Sequence, residues 1–410
     1  MRRQDAEAPR RGRQAVAEVQ QFSPWRLGVL AAHFLHWIIA PTLLLSIWTP
    51  ARISAAVQLK EYDTPYYIIY TDLDEDSEKE AAIRMTKMAE EYHDRTKDFA
   101  GVIREKLPFY LYRSPQDYYD AGGLPGSAGV FIIDQDHGKL MAIAGQKATL
   151  NTWHTVQHEG FHQFAHAVIG GNLPPWLNEG LAEYFGEGLF TGDGFVMGIV
   201  PPWRLKRLKD SITKNTLQPI PRIMLMSPQD WRAALSIANY DQAWSMVHFL
   251  VHGENGKYQQ AFSACIREIS QGQPFEKAWL DTLGPADGFE ARWKAYWLSQ
   301  PENPSAVLYS RATVSILTSF LARAMIQKQT FDSFDQFTSI AESGGLKISP
   351  EYWLPPSLLK RGLQGTQNGD KWNLSGETLS ATMPDGTQLT GSYRIQEGKV
   401  EVTVRENADR

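Results

Sequence analysis

The sequence lacks the features that are typical of disulfide-bonded, nucleic-acid-binding and repeat proteins. It contains one cysteine, Cys265, so no disulfide can form within its 410 residues. Its 41 lysines and arginines do not outnumber its 46 aspartates and glutamates, so the basic excess typical of nucleic-acid-binding proteins is missing. The sequence also shows no internal repeat, phosphate-binding loop or coiled-coil heptad. We therefore expect a globular protein of two or three domains without a nucleic-acid partner.

One stretch, residues 151–185, carries the densest set of chemically active side chains. His158, Glu159 and His162 form an H-E-x-x-H pattern, and apolar residues around them recur at near-helical spacing. On a helix the two histidines lie one above the other on one face. Two neutral imidazoles in this arrangement can hold a zinc ion, while Glu159, rotated by about 100°, can address a water molecule. The five-residue pattern alone leaves open whether a metal binds.

A second predicted helix supplies two carboxylates. Two glycines and two prolines between residues 170 and 175 end the first helix, and Glu179 and Glu183 then stand four residues apart. Catalytic zinc takes three protein ligands and leaves a fourth position open, and a ligating histidine takes a carboxylate on its other nitrogen. Two histidines and two glutamates meet both needs, so the combined pattern predicts one Zn²⁺ ion. The same glutamates would also suit a solvated helix surface above an apolar core.

At these residues the chain resembles a known family. The H-E-x-x-H pattern followed by Trp-Leu-Asn-Glu-Gly at residues 176–180 resembles the gluzincin metallopeptidases. It is more closely similar to the bacterial peptidase MA-like group that carries a DUF1570 domain, whose second helix reads N-E-G-x-A-E-Y-F. The resemblance extends from roughly residue 66 to residue 250 and is specific only around the two helices.

The resemblance implies a role for each residue of the pattern. His158, His162 and Glu179 would be the zinc ligands, Glu159 the general base, and Glu183 the carboxylate that orients one histidine. The sixteen residues between His162 and Glu179 are fewer than in the best-studied gluzincins. The shorter connection leaves Glu183 open as a ligand in place of Glu179.

Other residues near this pattern are candidates for supporting roles. In gluzincins a tyrosine or histidine downstream of the ligands donates a hydrogen bond to the developing oxyanion, which makes Tyr240 the first candidate here and His248 the second. Tyr240 would equally suit a helix core. His154 and His166 continue the four-residue spacing, but we expect them at the helix surface or at the edge of the core, with His154 the first substitute ligand.

The patterns predict an α+β fold in several parts. A small mixed sheet precedes the metal helix and a helical subdomain, an arrangement that the resemblance makes zincin-like, and a small antiparallel β module ends the chain. The predicted domains are a leader with a transmembrane anchor or signal peptide (1–57), the zincin-like domain (58–300), a helical linker region (301–369) and the β meander (370–410). Within the second, the sheet part spans 65–150, the metal helices 151–187 and the helical part 226–300.

Two segments invite more specific expectations. The strand at 140–144 stands directly before the metal helix, and we expect it at the sheet edge, where its backbone would pair with an extended peptide. The basic run that includes Arg204, Lys206 and Arg207 is expected to form the solvated face of an amphipathic helix. Contact of this run with a substrate carboxylate or a lipid headgroup is the alternative.

The N-terminal segment predicts export. Arginines precede the uncharged residues 27–48, which are long enough to span a bilayer, and acidic residues follow. Small residues at 54–56 offer a cleavage site, so a signal peptide competes with an uncleaved anchor. We expect a protein exported across the cytoplasmic membrane, either anchored with its C-terminal bulk outside or released by cleavage near Ala56.

The sequence as a whole favours an exported zinc metallohydrolase, namely a peptidase that acts on a peptide or protein substrate. A dormant metal-binding scaffold and a cell-wall amidase that uses the same residues are the alternatives. The patterns identify neither the cleavage specificity nor the oligomeric state.

Overall fold

The computed structural model describes residues 57–134, 137–170 and 172–407. They begin with a five-stranded mixed sheet. Its strands are β1 (Lys60–Asp63), β2 (Tyr67–Thr71), β3 (Leu107–Tyr112), β4 (Gly129–Asp134) and β5 (His137–Ile143), with helix α1 (Glu75–Thr96) after β2 and α2 (Pro115–Asp120) after β3. The strand order is β1-β2-β3-β5-β4, in which β2, β3 and β5 are parallel. The two edge strands, β1 and β4, are antiparallel to their neighbours.

The strand predicted at 140–144 is not an edge strand. It belongs to β5, which pairs with β3 on one side and β4 on the other. β4 and β5 are consecutive antiparallel strands, and either strand of such a pair can be the outer one. Pairing with β3 makes β5 the inner strand. Because β3 lies about 30 residues earlier in the chain, this pairing leaves no signal in the sequence around β5.

Two helices follow the sheet and form the centre of the molecule. Helix α3 (Leu150–Phe164) begins at Thr149, whose hydroxyl accepts a hydrogen bond from the Thr152 N–H. A π-helical turn, Ala165–Ile169, continues α3 and ends at Gly170, whose φ of 98° favours glycine. Helix α4 (Pro175–Gly186) then begins with a proline in its first turn, where no N–H is needed.

A helical layer and a C-terminal sheet complete the described residues. A two-stranded ribbon, β6 (Leu189–Phe190) and β7 (Phe195–Val196), precedes helices α5 (Pro202–Thr213), α6 (Ile220–Met224), α7 (Pro228–Ala233), α8 (Ile237–Gly256), α9 (Gln259–Ser270), α10 (Phe275–Leu283) and α11 (Phe289–Ser299). Then come α12 (Ala306–Ile326), α13 (Phe334–Glu342), α14 (Pro356–Gly365) and the strands β8 (Lys371–Ser375), β9 (Thr378–Thr382), β10 (Gln388–Gln396) and β11 (Lys399–Asn407). The strands form an antiparallel sheet that packs on α12. The predicted α+β class, mixed sheet and C-terminal antiparallel sheet are confirmed.

No helix within the described ranges is long and apolar enough to cross a membrane. The longest, α1, begins with three acidic residues, whereas α12 carries Arg311 and Arg323, and α8 contains non-helical backbone near its end, at residues 253–255. This finding contradicts the prediction of a transmembrane helix and of the membrane as a partner. The segment 27–48, for which that prediction was made, lies outside the described residues, and export stays a prediction.

Gly180 allows α4 and α8 to pack so closely that no side chain would fit at this position. A Cβ atom at this position would lie 2.6 Å from the Ala243 carbonyl oxygen and 2.7 Å from Val247 Cγ2. In an exposed helix, alanine would be favoured over glycine by about 1 kcal/mol. Here we expect Gly180→Ala to lower the free energy of unfolding by about 1–3 kcal/mol, because the two helices must separate.

Urea unfolding of the variant tests this expectation. The matched control is Gly194→Ala, because no heavy atom lies within 4 Å of the Cβ position there. Equal stability of Gly180→Ala and the wild-type protein would show that α4 and α8 can move apart at no cost.

Candidate metal centre

Three side chains from α3 and α4 converge on one point. The Nε2 atoms of His158 and His162 lie 3.2 Å apart, and Glu179 Oε2 lies 3.4 Å from each. The side chains are 12–18% exposed, so the point is nearly enclosed but still accessible. His158, His162 and Glu179 are thus grouped as the sequence predicted, and each offers one ligand atom within 4.8 Å of the other two.

The packing beneath these residues holds the two helices in register. Phe161 on α3 stacks on Phe185 of α4, with ring centroids 5.0 Å apart, and Tyr92 of α1 packs edge-on against both. The Tyr92 hydroxyl also donates a hydrogen bond to the Gln157 carbonyl oxygen over 2.5 Å. Since all three rings are buried, a shift of α4 along α3 would break contacts throughout this aromatic cluster.

Gln157, which the sequence patterns did not single out, ties α3 to the end of α4. Its buried side-chain amide donates to the carbonyl oxygens of Phe185, Gly186 and Gly188 at 3.0–3.1 Å. The last carbonyl groups of a helix have no intrahelical partner, so Gln157 satisfies groups that would otherwise be buried without a hydrogen bond. No sequence signal identifies this role, because a glutamine beside a histidine is ordinary.

Glu183 lies behind the first histidine. Its Oε1 is 3.3 Å from His158 Nδ1, the nitrogen that faces away from Glu179. The other oxygen of Glu183 lies 2.6 Å from the guanidinium of Arg204. Glu183 therefore stands where a carboxylate would orient His158, and Glu179 stands where a ligand would bind.

The carboxylates and the imidazoles of this centre stabilise each other's charged forms. Burial disfavours the ionised form of Glu179, but His162 and His158 outweigh it and lower the Glu179 pKa to about 2. Burial likewise opposes ionisation of Glu183, and Arg204 with His158 lowers its pKa well below the usual value. Despite burial, Glu179 and Glu183 raise the His158 pKa. Without metal the carboxylates are thus ionised, and their charge favours protonated histidines. A metal ion would compete with these protons for the imidazole nitrogens.

Glu159 lies beside the sheet edge. Its Oε2 accepts a hydrogen bond of 2.9 Å from the Phe131 N–H on β4. This hydrogen bond constrains the orientation of the half-buried Glu159 carboxylate. Glu159 therefore links α3 to β4, one of the two edge strands of the sheet.

The two candidate oxyanion donors occupy different places. The Tyr240 ring lies beside His158, with ring centroids 6.3 Å apart. Burial and then the charges of Glu179, Glu183 and Glu159 raise the Tyr240 pKa, so its hydroxyl keeps its proton. His248 is buried elsewhere, with Nε2 3.2 Å from the Gly198 carbonyl oxygen and the rings of Trp244 and Trp297 around it.

The remaining histidines of the four-residue series lie outside the centre. His166 is exposed and packs against Phe131. His154 lies near Glu183 and Glu187, and this second group also brings ligand atoms within 4.8 Å of one another. The guanidinium of Arg204 already lies against both carboxylates, at 2.6 and 2.8 Å, and offsets part of their charge.

The expectation of a solvated basic helix at 204–209 is wrong for Arg204. Its side chain is 3% exposed and contacts Glu183, Glu187 and Asp241, whereas Lys206 is 78% exposed. Helical spacing alone puts Arg204, Leu205 and Leu208 near one face. The sequence contained no local sign that the carboxylates of Glu183, Glu187 and Asp241 would meet there.

His248 should make the protein sensitive to acid. Burial and the neighbouring His252 lower the His248 pKa from 6.5 to about 3. Between these two pH values the unfolded chain therefore binds a proton at His248 that the folded protein does not bind. The contribution of His248 to stability is present above pH 6.5 and is lost as the pH falls toward 3. Between pH 7.5 and 5 this group should lower the free energy of unfolding by about 2 kcal/mol.

Urea unfolding of wild type and His248→Gln at both pH values measures this contribution. The variant should lose less stability on acidification than the wild type, whatever its absolute stability. The matched control, His166→Gln, removes an exposed histidine and should keep the wild-type difference. An unchanged difference in His248→Gln would show that the folded protein protonates His248 freely.

Comparison with known proteins adds one finding. Residues 152–276 match the family model described as "Protein of unknown function (DUF1570)". The matched range contains all of the residues that form the centre, from His158 on α3 to Tyr240 on α8, but covers less than half of the chain. No curated protein matches the sequence.

Proposed function

We propose that this protein is a zinc-dependent metallohydrolase, and specifically a gluzincin-type peptidase that cleaves amide bonds. The observation that carries the proposal is the convergence of His158 Nε2, His162 Nε2 and Glu179 Oε2, with Glu159 on the next position of the same helix. The family match extends over this region but names no activity.

The residues present fit a zinc ion. Two imidazoles and one carboxylate are the donor set of catalytic zinc sites that keep a fourth position open. Glu179 Oε2 is buried, and its nearest polar partners are the two imidazole nitrogens at 3.4 Å, a distance at which a cation could bind all three atoms. Glu183 on His158 Nδ1 supplies the outer carboxylate that such histidines take.

The chemistry follows from this donor set and from Glu159. When bound, zinc polarises a substrate carbonyl group and lowers the pKa of a water molecule. Glu159 would accept the proton of the attacking water and return it to the leaving amine. The hydrogen bond from Phe131 holds the Glu159 carboxylate at the side of α3 where an edge-bound substrate would lie.

Tyr240 is proposed as the donor to the oxyanion. Its ring lies beside His158, and its raised pKa keeps the hydroxyl protonated. A donor already in place when negative charge develops on the substrate oxygen stabilises the transition state more than the ground state. His248 is not proposed for this role, because its ring is enclosed by Trp244 and Trp297 and contacts Gly198.

An extended peptide would bind along β4. In an antiparallel pair, the backbone groups of every second residue point away from the partner strand. The Phe131 N–H points away from β5 and donates to Glu159, so the Phe131 carbonyl group and the backbone groups of its alternate neighbours Gly129 and Ile133 face the open edge. A peptide that pairs there would lie beside the general base.

Metal content and hydrolysis of the purified protein test the proposal. We expect one zinc per chain, cleavage of a mixture of unstructured proteins, loss of cleavage on treatment with a chelator, and its return on addition of zinc. A protein that holds no zinc would overturn the proposal. A protein that holds one zinc but cleaves neither these proteins nor cell-wall peptides would indicate the dormant scaffold instead.

A further inference from the structure

Arg204 is a buried side chain near the candidate metal centre that contacts three carboxylates. From α5 its Nη1 contacts Glu183 Oε2 at 2.6 Å and Glu187 Oε1 at 2.8 Å, while its Nε contacts Asp241 Oδ1 at 2.9 Å. The side chain is 3% exposed. A buried arginine that contacts one carboxylate on α4, one directly after α4 and one on α8 is held far more rigidly than a surface ion pair.

Helix α8 fixes the orientation of the Arg204 guanidinium. The guanidinium lies over the Trp244 ring, 4.5 Å from its centroid, and Asp241 contacts it from one turn earlier on the same helix. Asp241 is itself 3% exposed and is also held by Arg207, whose Nη2 lies 2.7 Å from Oδ1. Arg204 therefore stacks on Trp244 and forms an ion pair with Asp241, both on α8. These two contacts leave its Nη1 directed at α4.

The position of Nη1 determines the position of Glu183. One oxygen of Glu183 contacts Arg204, and the other lies 3.3 Å from His158 Nδ1. A carboxylate held at one oxygen by a rigid guanidinium presents the other oxygen in a defined direction. A chain of contacts thus runs from α8 through Arg204 and Glu183 to the imidazole whose Nε2 faces Glu179.

We propose that Arg204 is a positioning residue of the metal centre, which orients Glu183 and through it His158. This inference rests on the proposed function, since it supposes that His158 binds zinc. Partners of ligating histidines typically change metal affinity by about 10- to 100-fold when they are removed. Arg204 acts one step further out, and we expect Arg204→Gln to weaken zinc binding by about 10-fold.

The measurement is zinc affinity, obtained by competition with a chromophoric chelator, together with the absorption spectrum of the cobalt-substituted protein. Arg204→Gln should bind zinc more weakly than the wild type, and its cobalt spectrum should change because the orientation of His158 is no longer fixed. The control is Arg323→Gln. Arg323 is another buried arginine, paired with Asp193 at 2.7 Å, and it contacts none of the centre's residues. It should keep the wild-type affinity and spectrum even if the protein is destabilised.

Two further variants separate positioning from a general loss of stability. Arg204→Lys keeps the charge but lacks the planar fork, so it should restore only part of the affinity. Glu183→Gln combined with Arg204→Gln should bind zinc about as weakly as Glu183→Gln alone, because both changes break one chain of contacts. If Arg204→Gln does not fold, the comparison is made between Arg204→Lys and Arg323→Lys.

The possible failures can be told apart. A wild-type protein that binds no zinc would overturn the proposed function, and this inference with it. A wild-type protein that binds one zinc, with Arg204→Gln and Arg204→Lys matching its affinity and spectrum, would overturn this inference alone. Additive effects in the double variant would also overturn it, since Arg204 would then act independently of Glu183.

Discussion

Glu159→Gln is expected to lower the rate of hydrolysis by about 100- to 10,000-fold while the protein keeps its zinc. Glutamine preserves the shape of the side chain and can still accept the hydrogen bond from the Phe131 N–H. It cannot take a proton from the attacking water. Because Glu159 is not in the ligand group of His158, His162 and Glu179, the metal content should stay at one zinc per chain.

Steady-state hydrolysis and metal analysis of the same preparation measure both quantities. Glu75→Gln is a suitable control, since Glu75 is an exposed residue of α1 paired with Lys79. It should match the wild-type rate. A Glu159→Gln protein that cleaves at the wild-type rate would remove Glu159 from the mechanism. Loss of zinc in this variant would instead make Glu159 a ligand.

Glu179→Gln is expected to abolish zinc binding at concentrations that saturate the wild-type protein. The carboxylate oxygen of Glu179 lies 3.4 Å from both imidazole nitrogens, whereas Glu183 contacts the far nitrogen of His158. A neutral amide oxygen is a much weaker zinc ligand than a carboxylate. Glu183→Gln, which changes an outer carboxylate, should weaken binding by only about 10- to 100-fold.

Thermal or urea unfolding with and without zinc provides an independent measure of this difference. At a free zinc concentration of 100 times the dissociation constant, the wild-type protein should gain about 2.7 kcal/mol of stability. Glu179→Gln should gain none. The reverse result, with zinc lost in Glu183→Gln and kept in Glu179→Gln, would make Glu183 the ligand and Glu179 the outer carboxylate. The short connection between the two helices left this alternative open.

Local periodicity accounts for most of what the sequence predicted correctly about the fold. The strand predicted at 140–144 overlaps β5, β1 is the only strand of the first sheet that begins before the predicted sheet part at 65–150, and the four C-terminal strands lie within the β meander predicted at 370–410. Alternating runs depend on the geometry of a single strand, and turn residues mark their ends. The predicted α+β class followed from the order of these elements along the chain.

Contacts between distant segments account for the errors. The prediction for β5 failed because pairing with β3 decides which strand lies at the edge. The prediction for Arg204 failed because its carboxylate partners lie 17 to 37 residues away. Neither contact leaves a periodic pattern in the neighbouring sequence, so neither can be recognised from one chain alone.

The sequence by itself determined that His158 and His162 share one helix face and that Glu179 and Glu183 share another. The reason is that a spacing of four residues is a property of any α-helix, independent of its surroundings. Only the tertiary structure decided that the two faces meet, that Glu179 reaches the Nε2 atoms, and that Glu183 reaches His158 Nδ1. Those facts depend on how α3, α4, α5 and α8 pack, and packing is set by contacts of side chains far apart in the chain.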